Sequence, residues 1–80
     1  MRRSGSPYFA DVMEYVVIIE QGETSFGAYV PDLPGCVAAA ETRYEAAQLI
    51  REAIELHIES LRENGDDVPV PHSFAEKVAV

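Results

Sequence analysis

The stretch Val30-Pro31-Asp32-Leu33-Pro34-Gly35-Cys36 decides how this chain folds. Proline fixes its own φ, offers no N–H and drives the preceding residue toward extended backbone, so Val30 and Leu33 are both taken out of the helical region. A strand therefore ends at Val30. Asp32 is placed to bond its own following backbone as an Asx turn, and Pro34-Gly35 supplies the central pair of a type II turn in which glycine takes the positive φ. The chain reverses here and restarts at Cys36. Upstream of this corner the pattern is that of a β-hairpin, and downstream it is that of one long amphipathic helix.

Tyr15-Val16-Val17-Ile18-Ile19-Glu20 is β-branched and aromatic, and short enough for a strand. It is apolar on both faces, which places it centrally in its sheet or puts another chain over its second face. Gln21-Gly22-Glu23-Thr24 has the length of a hairpin turn, and Ser25 to Val30 then alternates, with Phe26, Ala28 and Val30 on one face. Val37-Ala38-Ala39-Ala40 is a weaker strand, assigned from its position after the corner.

Thr42-Arg43-Tyr44-Glu45 is a capping box: the threonine hydroxyl accepts from the Glu45 N–H while the Glu45 carboxylate reaches back. At 100° per residue, Ala46, Ile50, Ala53, Ile54, His57, Ile58 and Leu61 share one face, with Ala47 at its edge. Glu45, Gln48, Arg51, Glu52, Glu55, Glu59 and Arg62 fill the other. Leu49 and Leu56 sit on the shoulder of the apolar face, either covering the sheet's edge or meeting another subunit or partner. Asn64-Gly65 ends the helix, with Gly65 suited to the left-handed position. Asp66-Asp67-Val68-Pro69-Val70-Pro71 takes a polyproline-like path, and Glu76 to Val80 reads as a last strand beside the first. The fold class is α+β: a β-β-β-α-β unit with a three-stranded antiparallel meander, one long helix and a C-terminal strand.

The chain has 80 residues, enough for one domain, and a chain this small buries only about 60 % of its unfolded surface. Residues 1–12 lack periodicity and read as an extension, native or added, before a domain over 13–80. The formal charge is −8. Arg2, Arg3 and Asp11 are the charges of the first twelve residues, so the domain alone stands at −9 and the acidity is its own. Phosphate backbones repel such a chain, so direct nucleic-acid binding by it alone is not expected, and a basic protein partner is. No apolar run approaches the roughly 18 residues of a membrane span, no signal segment opens the chain, and a lone Cys36 suits a reducing compartment; a cytoplasmic protein is expected.

The parts for chemistry are missing. Asp32, Glu14 and Glu20 have no spacing diagnostic of a metal-dependent nuclease, and Asp32 is better explained by its turn. His57 reads as a half-buried ring in the helix's apolar face, and His72 as a loop residue facing water. Cys36 reads as a small apolar residue without a cation to activate it. No catalytic residue, metal ligand or cofactor is expected. The candidate contacts with a partner or a second subunit are Tyr29, Pro31, Asp32 and Leu33 at the corner, with Leu49 and Leu56 on the helix.

The residues Tyr15 to Glu20, then Ala28-Tyr29-Val30-Pro31-Asp32-Leu33-Pro34-Gly35-Cys36-Val37, then Thr42 to Ala47, Arg51 to Glu55 and Gly65 to Pro71 together resemble the HicB-like antitoxin family. The resemblance extends from Met13 to about Val80. It implies a partial ribonuclease H-like fold without a working active site, and an antitoxin that masks a small basic HicA-type ribonuclease toxin, an mRNA interferase. Many relatives continue into a helix-turn-helix or ribbon-helix-helix segment for operator binding; no residue here matches it, so that role is not carried over. The alternative is a stand-alone HicB-like domain with a structural or ligand-binding role. Self-association as a dimer or tetramer is expected in either case, from the doubly apolar first strand and the wide helix stripe.

Overall fold

A computed structural model describes residues 13–80. The assignment of residues 1–12 as an extension lies outside the described residues. Three strands, β1 (Ile18–Gln21), β2 (Phe26–Tyr29) and β3 (Val37–Ala40), form an antiparallel meander in the order β1-β2-β3, and one helix, α1 (Arg43–Glu63), follows. The α+β class read from the sequence is the one observed.

Register explains which residues face the helix. Ile19 pairs with Ala28, and Ala28 with Ala38; one step along, Gln21 pairs with Phe26, and Phe26 with Ala40. Because side chains alternate across a sheet, Tyr15, Val17 and Ile19 share the inner face with Phe26, Ala28, Val30, Ala38 and Ala40. These pack around a buried core of Ala28, Val30, Leu33, Cys36, Ala46 and Ile50. The alanines of β3 are poor strand formers, but their small size lets α1 lie close over β3 and β2; it covers β1 least. The opposite face of the sheet carries the row Ile18, Tyr29 and Val37, with Tyr29 and Val37 exposed.

The helix ends are built locally. Thr42 is the N-cap, in extended backbone, and its Oγ1 accepts from the Glu45 N–H at 3.0 Å. The second half of the capping box differs from expectation: the Glu45 carboxylate accepts from the Thr42 hydroxyl at 3.2 Å and makes no bond to the Thr42 backbone. At the other end Gly65 has φ +75, and its N–H donates to the Arg62 carbonyl while the Asp66 N–H donates to that of Leu61. This pair of bonds is a Schellman closure, which needs a residue tolerant of the left-handed region.

Two expectations are corrected. Among the described residues β1 pairs with β2 alone and lies at the sheet's edge, so its two apolar faces do not mark a central position there. Its inner face is apolar because α1 covers it, and its outer face continues the open row of Tyr29 and Val37. The second correction concerns Glu76 to Val80, which form no strand. Phe74 is 92 % exposed and Val78 74 %, so the segment gains too little packing to hold a ladder. It does run where a fourth strand was expected, since Lys77 borders the same groove as Val17, Ile18, Ile19 and Gln21.

Candidate protein-binding surface

The corner is two consecutive turns. The Leu33 N–H donates to the Val30 carbonyl at 3.1 Å, and the Cys36 N–H donates to the Leu33 carbonyl at 3.0 Å. Pro34 and Gly35 are the central pair of the second turn, and Gly35 has φ +85 as a type II turn requires. A bond from the Val30 N–H to the Cys36 carbonyl at 3.2 Å closes the loop at its base. This folding turns Leu33 inward, where it is completely buried, and leaves Pro31 exposed.

Asp32 does not make the Asx turn. An Asx turn needs the N–H two residues on, and here that residue is Pro34, which has none. The carboxylate reaches the chain's far end instead. Its Oδ2 accepts from the backbone N–H of His72 at 2.8 Å and of Ser73 at 2.9 Å, and its Oδ1 accepts from the Ser73 hydroxyl at 2.6 Å. His72 Nε2 lies 3.2 Å from the same Oδ1, with its ring largely in water. The Ser73 hydroxyl and then the His72 N–H hold the Asp32 carboxyl below the usual carboxylate range, outweighing the burial that would raise it.

The segment after α1 that carries Pro69, His72 and Ser73 is thus a strap, and it is fastened a second time. The Tyr15 hydroxyl donates to the Pro69 carbonyl, tying the segment before β1 to the polyproline stretch after α1. Burial, followed by the nearby Asp32 carboxylate, pushes the Tyr15 hydroxyl above its ordinary pKa, against a lowering by Arg62. Cys36 is buried, and burial pushes its thiol up, which keeps it protonated and a poor nucleophile. Among the described residues no group of three or more His, Cys, Asp or Glu side chains could hold a metal ion.

The six candidate contact residues separate into three groups. Asp32 and Leu33 face inward, one as the clamp of the strap and the other as core, and present no surface. Tyr29 and Pro31 are exposed, with Tyr29 on the sheet face away from the helix. Leu49 is 42 % and Leu56 65 % exposed, so both keep accessible apolar surface on the flank of α1. Sequence reasoning missed His72 and Ser73 as partners of Asp32. Only the missing N–H of Pro34 hinted that the carboxylate must bond elsewhere.

Comparison with known proteins places this architecture. A family model described as the HicB-like antitoxin of bacterial toxin–antitoxin systems matches residues 15–80, which takes in the meander, the corner, the helix and the strap. The chain belongs to the HicB-like antitoxin family. Among curated relatives, a UPF0150 protein of Thermoplasma acidophilum is 39 % identical over 69 residues, covering 85 % of this chain and 97 % of the relative. A UPF0150 protein of Synechocystis is 41 % identical over 59 residues, covering 72 % of this chain and 75 % of the relative. A 14.9 kDa protein from the rep-hol intergenic region of Haemophilus phage HP1 is 39 % identical over 57 residues, 71 % of this chain, which spans only 43 % of that relative's length. The HicB-like unit thus occurs at nearly this length and also within a longer chain. No helix among the described residues is long and apolar enough to cross a membrane.

Proposed function

We propose that this chain is the masking half of a toxin–antitoxin pair: a protein-binding domain that neutralises a HicA-type mRNA interferase by covering it, with no chemistry of its own. The match of the whole described unit to the HicB-like antitoxin family carries this reading. The physical chemistry supports it. A chain of charge −8 attracts a basic ribonuclease and repels that enzyme's RNA substrate, so one surface can both dock the toxin and exclude its target. Asp32, among the described residues the one buried carboxylate that a nuclease could use, is committed to fastening backbone. We read the β-β-β-α order, with the strap returning beside β1, as a partial ribonuclease H-like arrangement whose carboxylate fastens backbone where an enzyme would hold metal. In this reading the chain works in the cytoplasm without touching nucleic acid itself.

The test is RNA cleavage by the toxin encoded beside this chain, with and without stoichiometric purified chain. Suppression of cleavage together with a complex on gel filtration is expected; unimpeded cleavage with no complex refutes the reading. One observation favours a second role. The exposed Tyr29 and Val37 and the edge of β1, unpaired among the described residues, suit a stand-alone oligomeric HicB-like domain, structural or ligand-binding. A self-associating chain that forms no complex with any HicA-type protein is the result that selects it.

A further inference from the structure

On α1, the residues Glu45, Leu49, Glu52, Leu56, Glu59 and Glu63 follow one another at alternating steps of four and three, and all are exposed. That spacing keeps them on one stripe about 80° wide along the outward side of the helix. The stripe holds no cation, because Arg43, Arg51 and Arg62 fall outside it. Its two leucines stand about 10 Å apart along the axis, two turns of helix, with a glutamate between them and glutamates at either end.

We propose that this stripe is where a basic protein partner seats: a surface with two apolar contacts for Leu49 and Leu56, bordered by lysine or arginine opposite Glu45, Glu52, Glu59 and Glu63. The assignment rests on the antitoxin reading above and names the face that would perform it. The stripe's charge pattern argues against a second copy of this chain as the occupant. Parallel stripes that bring Leu49 onto Leu49 and Leu56 onto Leu56 also bring Glu52 onto Glu52. Antiparallel stripes that pair Leu49 with Leu56 set Glu52 against Glu52 and Glu45 against Glu59. Either way like charges are forced together wherever the leucines meet, and burying unpaired carboxylates is costly. A basic surface turns the same geometry into attraction at each of those positions, with the leucines as the desolvated centre and the charges as the rim.

The experiment is isothermal titration of the full chain with the purified basic toxin encoded beside it, at two salt concentrations. The key variant is Leu49→Lys with Leu56→Lys. The control, Gln21→Lys at the end of β1 with Thr24→Lys in the β1–β2 loop, makes the same change in net charge on another face. All four positions are exposed, so circular-dichroism melts are expected to stay near wild type. The stripe pair is expected to weaken binding at least about thirtyfold and the control pair less than about threefold. Leu49→Ala with Leu56→Ala, which leaves the charge alone, is expected to lose about tenfold. Equal losses in the two lysine pairs, or wild-type affinity in the alanine pair, overturn the stripe while leaving the antitoxin reading intact. A wild-type chain that fails to bind the toxin at all removes both. A wild-type dimer in sedimentation that the stripe pair dissolves overturns the choice of a basic partner over a second copy.

Discussion

Truncating Leu33 to alanine separates the corner's structural role from any role in contact. Leu33 is completely buried in the core cluster with Val30, Cys36 and Ile50, although it lies in a turn between two prolines. Removing a fully buried leucine side chain costs about 2–5 kcal/mol, through lost transfer energy and the cavity left behind. The turns on either side of Leu33 are pinned by its own N–H and carbonyl bonds, which limits collapse into that cavity and favours the upper half of this range. A domain of this size has a total stability of about 3–10 kcal/mol, so the substitution removes a large fraction of it. Each kcal/mol shifts the midpoint of a domain this small by about 4–8 °C, so a fall of about 15 °C or more is expected in a thermal melt by circular dichroism. Urea titration of the same variant checks the energy directly, and toxin binding below the melt should weaken only as far as the folded fraction falls. Leu49→Ala is the mirror image, changing stability by less than about 0.5 kcal/mol. A Leu33→Ala protein within about 5 °C of wild type would refute the placement of this residue in the core, and a stable variant that lost binding would restore it as a contact.

Further outcomes follow from the same geometry. Asp32→Asn replaces one acceptor oxygen with a donor facing the N–H groups of the strap, so the amides of His72 and Ser73 are expected to lose protection from hydrogen exchange while those of β2 keep theirs; unchanged protection would dismiss the clamp. The Asp32 carboxyl is depressed in the folded chain, so its contribution is present above the unfolded carboxylate value of about 3.9 and disappears as pH falls through the lower folded value. In NMR spectra followed from about pH 6 downward, the strap resonances should move before those of the sheet, and simultaneous loss would count against this assignment. Thr42→Ala removes the N-cap acceptor and should cost about 1 kcal/mol in urea titration. Gly65→Ala forces a side chain into φ +75 and should cost about 1–2 kcal/mol; a variant as stable as wild type would show that the Schellman closure matters little.

What could be read from the sequence, and what could not, divides by distance along the chain. The turn at Pro34-Gly35, the Thr42 cap and the Gly65 stop are each decided by residues within a few positions, and all three stand where the sequence put them. The apolar face of α1 was legible for the same reason, since periodicity is a local property. The partners of Asp32 lie forty residues away, and no local rule reaches that far. For β1 the sequence left two alternatives, a central strand or one whose second face another chain covers, because the two have the same apolar pattern; its pairing with β2 alone among the described residues removes the first. Val78 and Val80 alternate as a strand should, yet alternation alone does not supply the packing that holds a strand in a sheet. On the candidate surface, the leucines of the helix were picked out, but how far each is exposed needed the packing of the helix on the sheet to be known.

The account turns on whether this chain silences another protein's chemistry without any of its own. The direct measurement is RNA cleavage by the HicA-type toxin proposed as its partner as purified chain is titrated in, with a chain-only reaction containing magnesium alongside. Cleavage that falls to background near stoichiometric chain, and no cleavage by the chain itself, is the predicted result. Cleavage unaffected by a large excess of folded chain, or RNA cut by the chain alone, would contradict it.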